Sequence, residues 1–296
     1  MERAEYRAEY VDARPHPALA GLVRRYVGYV EHSTTPVRRR QAPVGALTLI
    51  ISFGPPLRML GPAGPSAPGS FLAGLHDAVV LTEFVGLQRG VQVDLTPLGG
   101  YTLLGRPMDE LVNRAPALDE LAVPELARLP ERLAEDPGWP QRFARVDAAL
   151  LGLLAAAPRL PDPEVRWAWQ RLQRTGGAAG VAELADGTGW SRRHLLTRFR
   201  AQVGLAPKAA ARVVRFERAV RLLVPALTAG PADRADRTDR SIADVAARCG
   251  YADHAHLTRE FRALAGVPPT AYVAEWQAAV PIPSSQVAAA DLRSPA

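Results

Sequence analysis

Cys249, His254 and His256 fall within eight positions in "CGYADHAHLTREF". A thiolate and two imidazoles are the ligand types of a zinc site. The spacing argues against one. On a helix, residues two apart point about 200° from each other, whereas an i, i+4 pair could share an ion. A second chemistry fits more of the chain. Arg192, Arg193, Leu196, Thr197 and Arg200 in one stretch, and His254, Ala255, His256, Thr258, Arg259 and Arg262 in another, mix guanidinium, imidazole, hydroxyl and small apolar groups. Side chains of these types at the start of a helix read base edges: Arg matches guanine O6 and N7, and Thr offers a hydroxyl or a methyl.

The elements that must carry these residues occur twice. "VAELADGTGWSRRHLLTRFRAQVGLAP" returns as "IADVAARCGYADHAHLTREFRALAGVPP". At an offset of 61, Ala182, Ala185 and Gly189 match Ala243, Ala246 and Gly250, with Trp190 opposite Tyr251. At an offset of 62, Leu195, Phe199, Arg200, Ala201, Gly204 and Pro207 match Leu257, Phe261, Arg262, Ala263, Gly266 and Pro269. Each copy reads as a short helix, a glycine turn and a second helix. Ser191 and Asp253 are placed to cap the second helices, and Ser241 with Asp244 to form a capping box on the first helix of copy two. Leu195 with Phe199, and Leu257 with Phe261, should face the core, leaving the basic face outward. A helix from Pro207, carrying Lys208, Arg212 and Arg215, joins the copies. The positions in copy one that correspond to Cys249, His254 and His256 are Thr188, Arg192 and His194, which make no metal set; no metal or cofactor is expected here.

These residues resemble the AraC/XylS transcription regulators, whose DNA-binding module holds two helix-turn-helix units joined by a linker helix. The likeness covers about residues 163 to 276 and rests on "WSRRHL", "RFERAVRLL" and "IADVAARCGYADHAHLTREFRALAGVPPTAYV". It implies that one chain sets two recognition helices into successive major grooves, about 34 Å apart. Two departures stand out. Thr197 occupies the place where the family usually has Arg, with Arg198 one position later, and the connection from Leu223 to Ile242 is about ten residues longer than usual. The N-terminal half resembles the sensory or dimerising half of one branch of these regulators. The partners implied are double-stranded promoter DNA, RNA polymerase and a second copy of the chain.

Composition agrees with this organisation. Of 36 basic residues only Lys208 is lysine, so arginine abundance reflects coding bias and its distribution carries the information. Residues 1–163 hold 17 Arg against 18 acids, while residues 164–274 hold 18 basic residues against 10 acids. The "AAAPRLPDPE" segment reads as a linker. The expected architecture is an α+β N-terminal domain over 1–160, a small β-barrel or sheet followed by helices, then an all-α DNA-binding domain over 161–278. Within the latter, unit one spans about 180–204, the linker helix about 207–226 and unit two about 241–266, and a disordered tail follows at 279–296. Strands are expected at Gly45 to Gly54, Ala78 to Leu87 and Gly90 to Gly99, with a hairpin or loop in the Pro- and Gly-rich stretch between the first two. His16, His32 and His76 are unpaired, so no metal is expected there either. A single cysteine fits a reducing compartment, and no stretch is apolar for the roughly 18 residues of a membrane span, so the cytoplasm is expected. No nucleophile with its base, phosphate loop or paired carboxylate stands out, which argues against an enzyme. Two other functions stay open: a DNA-repair alkyl acceptor with the same DNA module, against which the single cysteine counts, and a small-molecule-binding protein whose DNA module is vestigial.

Overall fold

The structure, a computed structural model, describes residues 6–156, 159–224 and 241–278. The expected tail, the polar segment before Arg240 and the last residues of the expected linker helix lie outside them. The N-terminal part is one antiparallel sheet. Its strands are β1 (Tyr6–Ala13), β2 (Val23–Gln41), β3 (Leu47–Ser52), β4 (Arg58–Gly61), β5 (Gly64–Ser66), β6 (Phe71–Ala73) and β7 (Val80–Leu95). The order is β1-β2-β7-β3-β6, and the β4–β5 hairpin pairs with β7 at its other end. The 16-residue β7 is the spine, bonded to β2 along one edge and to β3 and β4 along the other.

The expected strand at 45–54 is β3, but the expected strands at 78–87 and 90–99 are one continuous β7. Gly90, read from sequence as a boundary, sits in mid-strand. A Cβ there would come within 2.6 Å of both the Tyr29 hydroxyl and the Ile51 carbonyl, so the glycine answers a close approach rather than a turn. The run after Leu95 is not strand. Thr96 caps Gly99 N–H at 2.9 Å and Pro97 opens α1 (Pro97–Leu104), a helix buried on almost every side. A continuously apolar run of that length does not reveal its own periodicity. β2 carries Arg24, Arg25, Glu31 and Arg38 to Arg40, whose charges hide the strand pattern.

Short helices α2 (Pro124–Ala127) and α3 (Leu129–Glu135) lead to α4 (Trp139–Ala156), which packs Phe143, Val146 and Leu150 onto the sheet. The described residues of the C-terminal part form helices: α5 (Pro163–Arg174), α6 (Val181–Thr188), α7 (Arg192–Val203), α8 (Pro207–Leu223), α9 (Ile242–Arg248), α10 (His254–Ala265) and α11 (Pro269–Ala278). The chain is therefore a sheet region followed by a helical region, as its sequence implies.

The apolar core crosses the linker. One buried cluster runs from Leu19, Tyr26 and the β3 and β7 side chains through Val165 and Trp169 to Leu195, Phe199 and Val214. A second, around Phe216, Leu257, Phe261 and Tyr272, supports α9 to α11. The first helix-turn-helix unit is thus built onto the sheet region. The second has its own core.

Candidate nucleic-acid interface

Each unit is set by its turn. α6 ends at Gly189 with φ 70°, and Trp190 N–H returns to the Ala185 carbonyl at 3.2 Å. In the second unit Gly250 has φ 73°, and Tyr251 N–H returns to Ala246 at 2.9 Å. Glycine holds this left-handed conformation without the Cβ clash that other residues incur. The caps form as expected: Ser191 Oγ accepts from His194 N–H at 3.2 Å, and Asp253 Oδ1 from His256 N–H at 2.6 Å. Ser241 and Asp244 make the reciprocal capping box on α9.

The same residues of both copies face inward. Leu195, Phe199, Leu257 and Phe261 are fully buried, Phe199 lies 6.4 Å from Trp169, and Phe261 lies 4.7 Å from Phe216. Outward on α7 stand Arg192, Arg193, Leu196, Thr197 and Arg200, all exposed. Leu196 keeps 41% of its surface in water, unusual for leucine and suited to a thymine methyl. Thr197 Oγ1 donates to the Arg193 carbonyl at 3.1 Å, leaving its oxygen free to accept. On α10, His254, Ala255, Arg259 and Arg262 are exposed and Thr258 is half-buried.

The three residues that resembled a metal tract have separate places. Cys249 is buried in the second core, and burial pushes its thiol up. His254 points to solvent. His256 stands edge-on to Tyr251 at 5.3 Å, and its Nδ1 accepts from Ala252 N–H at 3.3 Å. Among the described residues no group of three or more His, Cys, Asp or Glu is arranged to hold a metal ion.

Two arginines that sequence reasoning placed on or near the DNA side are spent inside the protein. Arg212 donates Nε and Nη2 to Glu260 on α10, at 2.9 and 3.0 Å, and so braces α8 against the second recognition helix. Arg215 donates to the Gly177 carbonyl at 2.8 Å and lies over the Tyr251 ring at 5.7 Å. Arg198, the displaced arginine of unit one, pairs with Asp162 through Nε and Nη2 at 2.7 and 2.8 Å. The hydrogen bonds from Arg198 hold the Asp162 carboxyl below the ordinary aspartate range. Lys208 stays exposed, and with Arg212, Arg215 and His256 it lines a hollow between the two units.

Contacts between sheet and helices went unseen in the sequence. Glu217 on α8 accepts from Gly45 N–H at 2.9 Å and faces Arg24 of β2 at 3.8 Å. Arg40 at the end of β2 donates to the Ala265 carbonyl at 2.9 Å and to Glu275 at 2.9 and 3.3 Å. Glu217 and Arg40 are single charged residues far from their partners in sequence, and no local pattern marks them.

These paired outward faces belong to two helix-turn-helix units of like geometry. Residues 184–275 match the helix-turn-helix domain family, and residues 12–116 match a domain of unknown function, DUF6597. The C-terminal region therefore carries a helix-turn-helix domain. Among solved structures it is similar to the C-terminal domain of AraT, a response regulator from Geobacillus stearothermophilus, with 22% identity, a TM-score of 0.33, and 38% of this chain and 86% of that one covered. It is similar to ToxT from Vibrio cholerae O395 over 93% of this chain and 99% of that one, at 9% identity and a TM-score of 0.47. The xylose-binding transcription activator xylR is similar over 45% of this chain and 39% of that one, at 20% identity and a TM-score of 0.32. No curated protein matches the chain. No helix among the described residues is long and apolar enough to cross a membrane.

Proposed function

We propose that the chain reads a promoter site with α7 and α10 in successive major grooves, residues 161–278 forming the DNA-binding domain and residues 1–160 the sensory one. The observation that carries this reading is the repeated geometry: two helices with the same capped start, the same buried Leu and Phe, and the same basic outward face. Arg192, Arg193, Leu196, Thr197 and Arg200 read one half of the site, and His254, Ala255, Thr258, Arg259 and Arg262 the other. Lys208 serves a phosphate in the hollow between them. Arg212 and His256 act chiefly by positioning, since Glu260 and the Tyr251 turn already hold them.

Control by a small-molecule effector is part of the proposal. A cavity of about 160 Å³ opens against the sheet, and Glu217 of α8 forms part of its wall. A ligand there touches the helix that joins the two DNA-reading units. Dimerisation through the sheet region and contact with RNA polymerase complete the regulator reading, and neither calls for an enzyme activity. The test is mapping of bound DNA in cells followed by binding to the recovered fragments. Arg193→Ala or Arg259→Ala should cost about 1–3 kcal/mol at one subsite. An unchanged sequence preference removes that residue from the reading set.

A further inference from the structure

The wall of the sheet cavity contains five ionised groups, and each is already answered inside the protein. Glu31 accepts from Arg39 at 2.6 and 2.9 Å and from the hydroxyls of Tyr6 and Tyr10. Burial raises its carboxyl, and the Arg39 guanidinium and the two hydroxyls outweigh that and hold it below the usual carboxylate range. Asp94 accepts from Arg25 Nε at 2.9 Å and from Gln92 Nε2 at 2.8 Å. Glu217 takes Gly45 N–H and Arg221, and faces Arg24, whose Nη2 donates to the Gly45 carbonyl at 2.5 Å. An anion entering the cavity finds no unspent guanidinium, and a cation finds no unspent carboxylate. Either would lose its hydration without a counter-charge.

The amides and the imidazole of the wall leave over acceptor capacity. Gln92 Nε2 binds a carboxylate and Gln88 Nε2 binds the Pro55 carbonyl at 3.0 Å, both obligate acceptors. The amide nitrogens are therefore fixed, and each Oε1 is unspent among the described residues. His76 holds the Gly74 carbonyl with Nδ1 at 2.8 Å, which leaves Nε2 as an acceptor on a ring that burial keeps neutral. Around these groups the rest of the lining is largely apolar: Ile50, Leu57, Met59, Phe71, Val80 and Phe84.

We propose that the cavity takes a small uncharged amphiphile, an apolar body of about six to ten non-hydrogen atoms carrying one or two O–H or N–H donors. A dry apolar cavity of about 150 Å³ holds one benzene, which sets the scale. The donors meet Gln88, Gln92 or His76, and the body packs on Met59, Phe71 and Phe84. This inference deepens the effector reading above and rests on it for its regulatory meaning, but binding itself is separate.

The experiment titrates the full chain with four probes of one shape, followed by ligand-observed NMR: benzyl alcohol, toluene, benzoate and benzylamine. Benzyl alcohol should bind tightest, toluene about fivefold more weakly for want of the donor, and both ions at least about tenfold more weakly. Gln88→Met, Gln92→Met and His76→Phe, checked for folding by circular dichroism, should together erase the benzyl alcohol advantage and leave toluene unchanged. Met59→Trp should block all four, with Ala73→Leu as a milder filling variant should the first not fold. Tighter binding of either ion, no binding of any probe, or binding that survives a folded cavity-filling variant overturns the proposal. The same titration with promoter DNA present separates the two ideas. The expected binding order with DNA affinity unchanged supports the ligand class and defeats the effector reading.

Discussion

Removing the Asp162 carboxylate should loosen the first recognition helix from behind. Asp162 precedes α5, yet its side chain belongs to α7: it accepts from Arg198 Nε and Nη2 and from Gln202 Nε2 at 2.7 Å, while its own N–H donates to Gln202 Oε1 at 2.8 Å. The Arg198 pair is part-exposed, with the guanidinium side chain 42% accessible, and such a pair contributes about 0.5–1 kcal/mol. Gln202 is fully buried, so Asp162→Ala leaves Nε2 without a partner at a cost of about 1–3 kcal/mol. The sum is about 1.5–4 kcal/mol. Urea unfolding of the full chain measures it, with amide hydrogen exchange along α7 as the local reporter. Adding Gln202→Met should restore about 1 kcal/mol, because removing both partners spares the orphaned amide. A loss below about 0.5 kcal/mol, or a double variant whose cost is the sum of the singles, would refute the reasoning. The pH dependence has a definite sign. The folded carboxyl is depressed below its ordinary value of 3.8, so its stabilisation is present above that value and disappears as pH falls through the lower folded one. The stability gap between wild type and Asp162→Asn should therefore hold at neutral pH and close only in strong acid.

Other outcomes follow from the same contacts. Arg40→Ala removes the bonds from β2 to Ala265 and Glu275, and should raise hydrogen exchange at the end of α10 and in α11 by about 1 kcal/mol of lost protection, leaving α7 unchanged. Cys249 is 2% exposed with a thiol raised by burial, so native protein at pH 7.5 should resist iodoacetamide and react only after unfolding. Zinc or a chelator should leave DNA affinity unchanged, and a zinc-dependent shift would reopen the metal reading.

The helical region was legible because its signals are local and stated twice. Glycine turns, Ser and Asp caps and the Leu-Phe pair each act within a few residues, and the repeat separates what the fold needs from what varies outward. Arg198 shows the limit. Its displacement by one position was visible, but its partner lies 36 residues upstream, and only the fold brings Asp162 to it. The same distance problem hid Arg212 on Glu260 and Glu217 on Gly45. In the sheet region the failure had another cause. β2 is a 19-residue strand with charges turned toward a cavity, where Glu31 and Arg39 answer each other, so hydrophobic alternation is broken where the site is. α1 was misread because it is buried on nearly all sides. The cavity itself is lined from β1, β2, β3, β4, β6, β7 and α8, and no one of them announces it.

On the proposed reading, α7 and α10 each take one half of a single DNA site. Fluorescence anisotropy on a fragment recovered from genome mapping, with each half scrambled in turn and with Arg193→Ala and Arg259→Ala, tests it most directly. Affinity should fall linearly with the logarithm of salt. Each variant should lose about 1–3 kcal/mol and become indifferent to one half only, the two halves lying about one helical turn apart. Both variants responding to the same half, or neither changing its preference, would contradict it.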